Sequence, residues 1–148
     1  FVGPYDDEKL GFNKVAPYYY YPGWWEGGAD LEFFINKKAF DALSETNKAI
    51  VMAATKVAAR DMTTKYDAKN PIALKNLVAA GTKLMPFSKE VMDAGFKAAM
   101  EVFAEHEAKS PEFKKVHQDM RAFQRDQILW NRFSEFRYNS YMATLNNL

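Results

Sequence analysis

Nine aromatic residues (Phe12, Tyr18, Tyr19, Tyr20, Tyr21, Trp24, Trp25, Phe33 and Phe34) crowd into positions 12–34, and this crowding constrains the fold most. Aromatic and branched side chains suit strands, whereas Pro22, Gly23, Gly27 and Gly28 punctuate a loop. Residues 15–21 and 31–36 are therefore expected to be strands joined by that loop. From Lys37 onward alanine, lysine, glutamate and methionine dominate with helical spacing. The expected fold class is α/β and helix-rich. Residues 1–43 form a strand-and-loop segment, 44–109 a helical lobe and 110–148 a long C-terminal helix.

Breakers divide the helical portion. Ile50, Ala54, Val57, Ala58 and Met62 line one face of a helix over 46–66, which Pro71 kinks or interrupts before Gly81 stops it. Residues 83–87 read as a short strand, and Ser88 caps a helix whose buried stripe is Met92, Phe96, Ala99 and Phe103. Ser110 and Pro111 start the last helix, which meets no further glycine or proline and is expected to run to about Leu145, roughly 50 Å at 1.5 Å per residue. Near the N-terminus Pro4 and the acids Asp6, Asp7 and Glu8 read as a short helix start, the acids compensating the helix dipole, with Gly11 as the stop.

Charge and composition exclude several classes. A net charge of +1 gives no footprint for nucleic acid or an anionic membrane. The absence of cysteine removes disulfides, thiolate nucleophiles and cysteine-ligated metals. No apolar run approaches the roughly 20 residues of a membrane helix, and no basic-then-apolar stretch opens the chain, so it is expected to be soluble and unaddressed.

Catalytic patterns are missing as well. His106 and His117 lie in no metal-ligand spacing and read as exposed or partly buried helix polar groups. No serine stands in a nucleophile elbow, no phosphate loop occurs, and Glu101 with Glu105 reads as a solvated face. The constellation with functional chemistry is Trp24-Trp25-Glu26-Gly27-Gly28. A carboxylate between indoles and a glycine pair suits a hard oxygen ligand in a partly dry pocket. Alternatively the tryptophans are core, the glycines make a turn and Glu26 points to water.

Three runs carry a family resemblance. They are residues 2–12 (Val-Gly-Pro-Tyr-Asp-Asp-Glu-Lys-Leu-Gly-Phe), residues 15–28 (Val-Ala-Pro-Tyr-Tyr-Tyr-Tyr-Pro-Gly-Trp-Trp-Glu-Gly-Gly) and residues 66–71 (Tyr-Asp-Ala-Lys-Asn-Pro). The chain resembles the DctP-type extracytoplasmic solute receptors of TRAP transporters, within the branch that binds 2-oxo acids such as pyruvate. On that resemblance it is a C-terminal part, under half, of a two-lobe receptor of the type II periplasmic kind, and it is not an enzyme.

The resemblance also implies a site. Glu26 ligates a cation, monovalent or divalent with sodium the expected ion, that bridges ligand and protein. A second acid falls just before Phe1, and the backbone carbonyl of Phe1 faces the same cation at a position usually held by tryptophan. Trp24 and Trp25 wall the substrate. The arginine that clamps the ligand carboxylate belongs to the missing N-terminal part, in keeping with the lack of any arginine before Arg60. The implied partners are a small 2-oxo carboxylate, the TRAP membrane permease and a second copy reached by a swapped C-terminal helix, in the periplasm.

Phe113, Val116, Met120 and Phe123 fall within a narrow helical arc, whereas Trp130, Phe133, Phe136, Tyr138 and Tyr141 spread much wider, so a second surface is expected to cover them. Two other readings stay open. One is a receptor for a 2-hydroxy acid with calcium, an ion that takes more ligands at longer distances than this pattern supplies. The other is a purely structural helical assembly fragment.

Overall fold

The computed structural model of the protein describes residues 3–24 and 31–145, which divide into two units, Phe1–Gly95 and Phe96–Leu148. In the first unit Pro4 occupies the opening turn of helix α1 (Pro4–Leu10), where its missing N–H costs nothing, and a short 3-10 turn follows at Phe12–Lys14. Strand β1 (Tyr18–Tyr21) leads to residues 31–36, then to the short helix α2 (Lys37–Asp41) and the 35-residue helix α3 (Glu45–Ala79). Ser44 caps α3 by accepting from the Asn47 N–H at 3.2 Å.

Gly81, at φ 97°, ends α3 in a left-handed turn that lets the Thr82 N–H reach the Leu77 carbonyl at 3.0 Å. The chain then enters strand β2 (Lys83–Pro86). β2 pairs parallel to β1, with Tyr18 opposite Lys83 and Tyr21 opposite Pro86, so α3 lies within the crossover that a parallel pair requires. The Lys83 N–H donates to the Pro17 carbonyl and the Phe87 N–H to the Tyr21 carbonyl, each at 2.8 Å, extending the ladder at both ends.

Packing in this unit concentrates where α1 lies on the second half of α3. Ala73 and Leu77, four residues apart on one helix face, are each 1% exposed. The expected stripe on the first half of α3 is open instead, since Ile50, Ala54, Val57 and Ala58 are exposed and Met62 is half-covered. Pro71 does not interrupt α3, which is helical on both sides of it. Residues 31–36 are not a strand. Their composition suits one, but pairing needs a neighbour, and among the described residues the sheet holds only β1 and β2.

Helix α4 (Lys89–Lys109) continues into the second unit. Of its expected stripe, Phe96 is exposed while Met92, Ala99 and Phe103 are partly covered. Ser110 accepts from the Phe113 N–H at 3.1 Å and starts helix α5 (Pro111–Phe133), as its sequence implies. At this corner Phe103 and Phe113 enclose the His117 ring, 4.5 and 5.7 Å away, and His117 Nδ1 lies 2.6 Å from Glu107 Oε1. His117 is thus buried rather than exposed or partly buried, whereas His106 is exposed.

The long C-terminal helix is present but does not run unbroken to Leu145. It stops at Phe133, and helix α6 (Glu135–Met142) follows. Ser134 makes the break without glycine or proline: its hydroxyl donates to the Trp130 carbonyl at 3.0 Å, a back-bond to the preceding turn that bends helices, and its ψ is −98°.

Candidate ligand-binding site

The Trp24–Trp25–Glu26 run leaves the carboxyl end of a parallel strand, the edge where open α/β sheets receive ligands. That strand end is well fixed. Tyr21 is bonded to the Phe87 N–H, and Tyr20 stacks on Phe87 with ring centroids 5.1 Å apart. Three residues on, Trp24 lies against α4 at Gly95, with 42% of its surface exposed. One side of the indole is thereby set against the helix.

Of the residues expected to form the site, Trp24 is the one within the described part. Trp25, Glu26 and Phe1 lie outside the described residues. Among the described residues no group of three or more His, Asp or Glu side chains is arranged to hold a metal ion. Gly95 was not singled out by its type, although a lone glycine inside a run such as Ala94, Ala98, Ala99 and Met100 signals a packing demand.

A second polar assembly surrounds α1, and here the acids do more than compensate a dipole. Tyr66 donates its hydroxyl to Asp6 at 2.5 Å, Tyr19 donates to Asp7 at 2.6 Å, and Asn76 donates to Glu8 at 2.9 Å. Asn70 Oδ1 also accepts from the Tyr5 N–H at 3.1 Å. Tyr66, Lys69 and Asn70 thus hold Tyr5 and Asp6 of α1, which brings parts of two of the three family-like runs together. A cavity of about 190 Å³ opens beside this assembly, lined among the described residues by Asp7, Tyr19, Leu77, Thr82 and others, and Trp24 does not line it.

The hydrogen bonds set the tyrosine ionisations. Burial, and then the bond to the Asp7 carboxylate, push the Tyr19 phenol well above its ordinary value. The bond to Asp6, with some burial, raises Tyr66. Tyr5 moves the other way, down to about 8, because the ammonium groups of Lys9 and Lys69 stabilise its phenolate, Lys69 donating to its oxygen at 3.0 Å.

Comparison with known proteins bears on what this arrangement belongs to. The family described as DctP, bacterial extracellular solute-binding protein, family 7, matches residues 2–110. The chain belongs to that family. A DctP relative from Nostoc, the monocarboxylate 2-oxoacid-binding periplasmic protein, is 43% identical over 143 residues, covering 97% of this chain and 39% of the relative. A crystal structure of a TRAP transporter solute-binding protein from Bordetella bronchiseptica is 44% identical with a TM-score of 0.88, covering 96% of this chain and 42% of that one. It is described as a mixed-occupancy dimer with copurified calcium and picolinate in one active site and the other site apo.

The chain thus spans about two fifths of the length of these DctP relatives. The sequence resemblance to the DctP family, and the helix-rich α/β character read from the pattern, are both borne out. Among the described residues no helix is long and apolar enough to cross a membrane.

Proposed function

We propose that this chain is the C-terminal part of the solute-binding subunit of a TRAP transporter, which captures a small 2-oxo monocarboxylate together with a cation and delivers it unchanged to a membrane permease. The observation that carries this reading is the position of Trp24, first residue of the Trp-Trp-Glu-Gly-Gly run, held on α4 at the carboxyl end of a parallel strand. Residues 1–43 supply the ligand motif, 44–109 the helical lobe and 110–148 the assembly helix. The setting is the periplasm, in keeping with the extracellular family description and the relative's name.

The division of labour in the site follows from chemistry. Glu26 and the Phe1 carbonyl are hard oxygen donors suited to a cation, sodium being the proposed ion. Trp24 and Trp25 form an apolar wall that excludes water, which strengthens charge contacts and disfavours large polar substituents. Pyruvate is a small ligand of this class. No group among these residues is assigned a covalent step.

The picolinate of the Bordetella protein supports the ligand class. Its ring nitrogen and carboxylate form a donor pair like the keto oxygen and carboxylate of a 2-oxo acid, and either pair can share one cation. The calcium there favours a second reading, a 2-oxo or 2-hydroxy acid held with calcium in place of sodium.

A two-stranded parallel sheet is marginal alone, and parallel sheets are ordinarily covered on both faces, so the open β1–β2 pair fits a part of a larger sheet. The exposed aromatics of α5 and α6 fit a homodimer, by domain swap of the C-terminal helices, and the dimer in the Bordetella description agrees with it. Calorimetry of the parent receptor with pyruvate, in buffers holding sodium, calcium or neither, tests the reading. Micromolar or tighter binding that depends on the cation is expected. Failure to bind any small carboxylate would leave the structural assembly reading in its place.

A further inference from the structure

Gly95 stands inside α4, where glycine is unfavourable because the unfolded chain has more freedom to lose. Its backbone conformation does not require glycine, and its helical neighbours Ala94, Ala98 and Ala99 are strong helix formers. Propensity alone would therefore place alanine here. The reason lies outside the helix: a Cβ at Gly95 would sit 2.6 Å from Trp24 Cε3, 2.9 Å from Cδ2 and 3.3 Å from Cζ3. These are carbons of the fused six-membered ring, so relief requires moving the whole indole or the helix.

Neither moves easily. Trp24 follows the end of β1 by three residues, and α4 begins three residues after the end of β2. Both sides of the contact are thus tied by short connections to the same paired strands, at the Tyr21–Pro86 end of the ladder.

We propose that Gly95 is a positioning residue for the ligand site, a bare spot on α4 that seats the indole of Trp24, the first residue of the proposed ligand-binding run. The proposal rests on the reading of that run as the ligand site. A methyl at position 95 lifts Trp24 off the helix. A binding constellation tolerates little such displacement, because its geometry is only as good as the groups that support it.

The test is a cycle of Gly95→Ala, Trp24→Ala and the double variant in the parent receptor, read by pyruvate calorimetry and thermal denaturation. Gly95→Ala should weaken pyruvate binding at least about tenfold and lower Tm, although alanine is the better helix former. In the Trp24→Ala background the same change should raise Tm and alter pyruvate affinity no further. Gly95→Ala that binds pyruvate as the unsubstituted receptor does, or that raises Tm equally in both backgrounds, overturns the proposal. If the unsubstituted receptor binds no 2-oxo acid, the ligand reading is what has failed. The denaturation cycle then judges the seat alone: coupling between the two positions upholds it and additivity overturns it.

Discussion

Tyr19 donates its hydroxyl to Asp7 Oδ2 at 2.6 Å, joining the sheet to α1 through a carboxylate that is only 3% exposed. A buried carboxylate that loses one of its donors keeps its desolvation cost with less to offset it, so the bond is worth more than an exposed one.

Tyr19→Phe should accordingly destabilise the parent receptor by about 1–3 kcal/mol in urea denaturation. The pH dependence has a definite sign. The phenol is raised in the folded state, so its contribution is complete below the ordinary tyrosine value of 10.0 and is lost as pH climbs from there towards the folded value. Tyr19→Phe should flatten that alkaline loss. Equal alkaline sensitivity in both proteins would contradict the assignment.

Tyr5 offers a second titration, in the opposite direction. Its phenol is lowered to about 8 by Lys9 and Lys69, so its contribution is complete above the ordinary value of 10.0 and is lost as pH falls through about 8. Phenolate absorbance should show one tyrosine titrating near pH 8, absent in Tyr5→Phe and moved upward in Lys69→Met. Absence of any phenolate signal below about pH 9 would contradict it.

Much of the helical fold was legible because its signals are local. Gly81 and the Ser110–Pro111 pair act within a turn of themselves, and each marks a helix end in the structure. Residues 31–36 misled because a strand is a pairing, and composition says nothing about whether a neighbour is present. The parallel match of β1 to β2 was hidden for the same reason, since its partners are some 65 residues apart. Ser134 broke the last helix through a back-bond that serine makes at some positions and not others. As for the site, the Trp-Trp-Glu run was visible by chemistry and resemblance, but the side that supports it was not: Gly95 matters only through an indole 71 positions earlier in the chain.

The open face of α5 and α6 leads to an assembly prediction. Phe133 is 80% exposed, with Leu129 and Phe136 also uncovered around it. Light scattering behind size exclusion should find the parent receptor dimeric at tens of micromolar, and monomeric after Phe133→Asp or after truncation following Phe123. A monomeric unsubstituted receptor would refute the dimer.

The isolated chain should bind 2-oxo acids weakly or not at all, because the proposed arginine clamp and the opposing lobe lie outside it. Half a cleft loses the contacts that offset the entropy of association. A tryptophan-fluorescence titration with pyruvate that saturated below about 10 µM would contradict this.

Glu26 carries the central claim, that the loop after β1 binds a 2-oxo acid through a shared cation. Glu26→Gln preserves shape and removes the charge, and Trp130, far along the chain, leaves a fluorescence control for folding. Calorimetry of the parent receptor with pyruvate should show the affinity of Glu26→Gln falling at least tenfold, about 1.4 kcal/mol, with a weaker dependence on the cation. Affinity and cation dependence equal to those of the unsubstituted receptor would contradict the account.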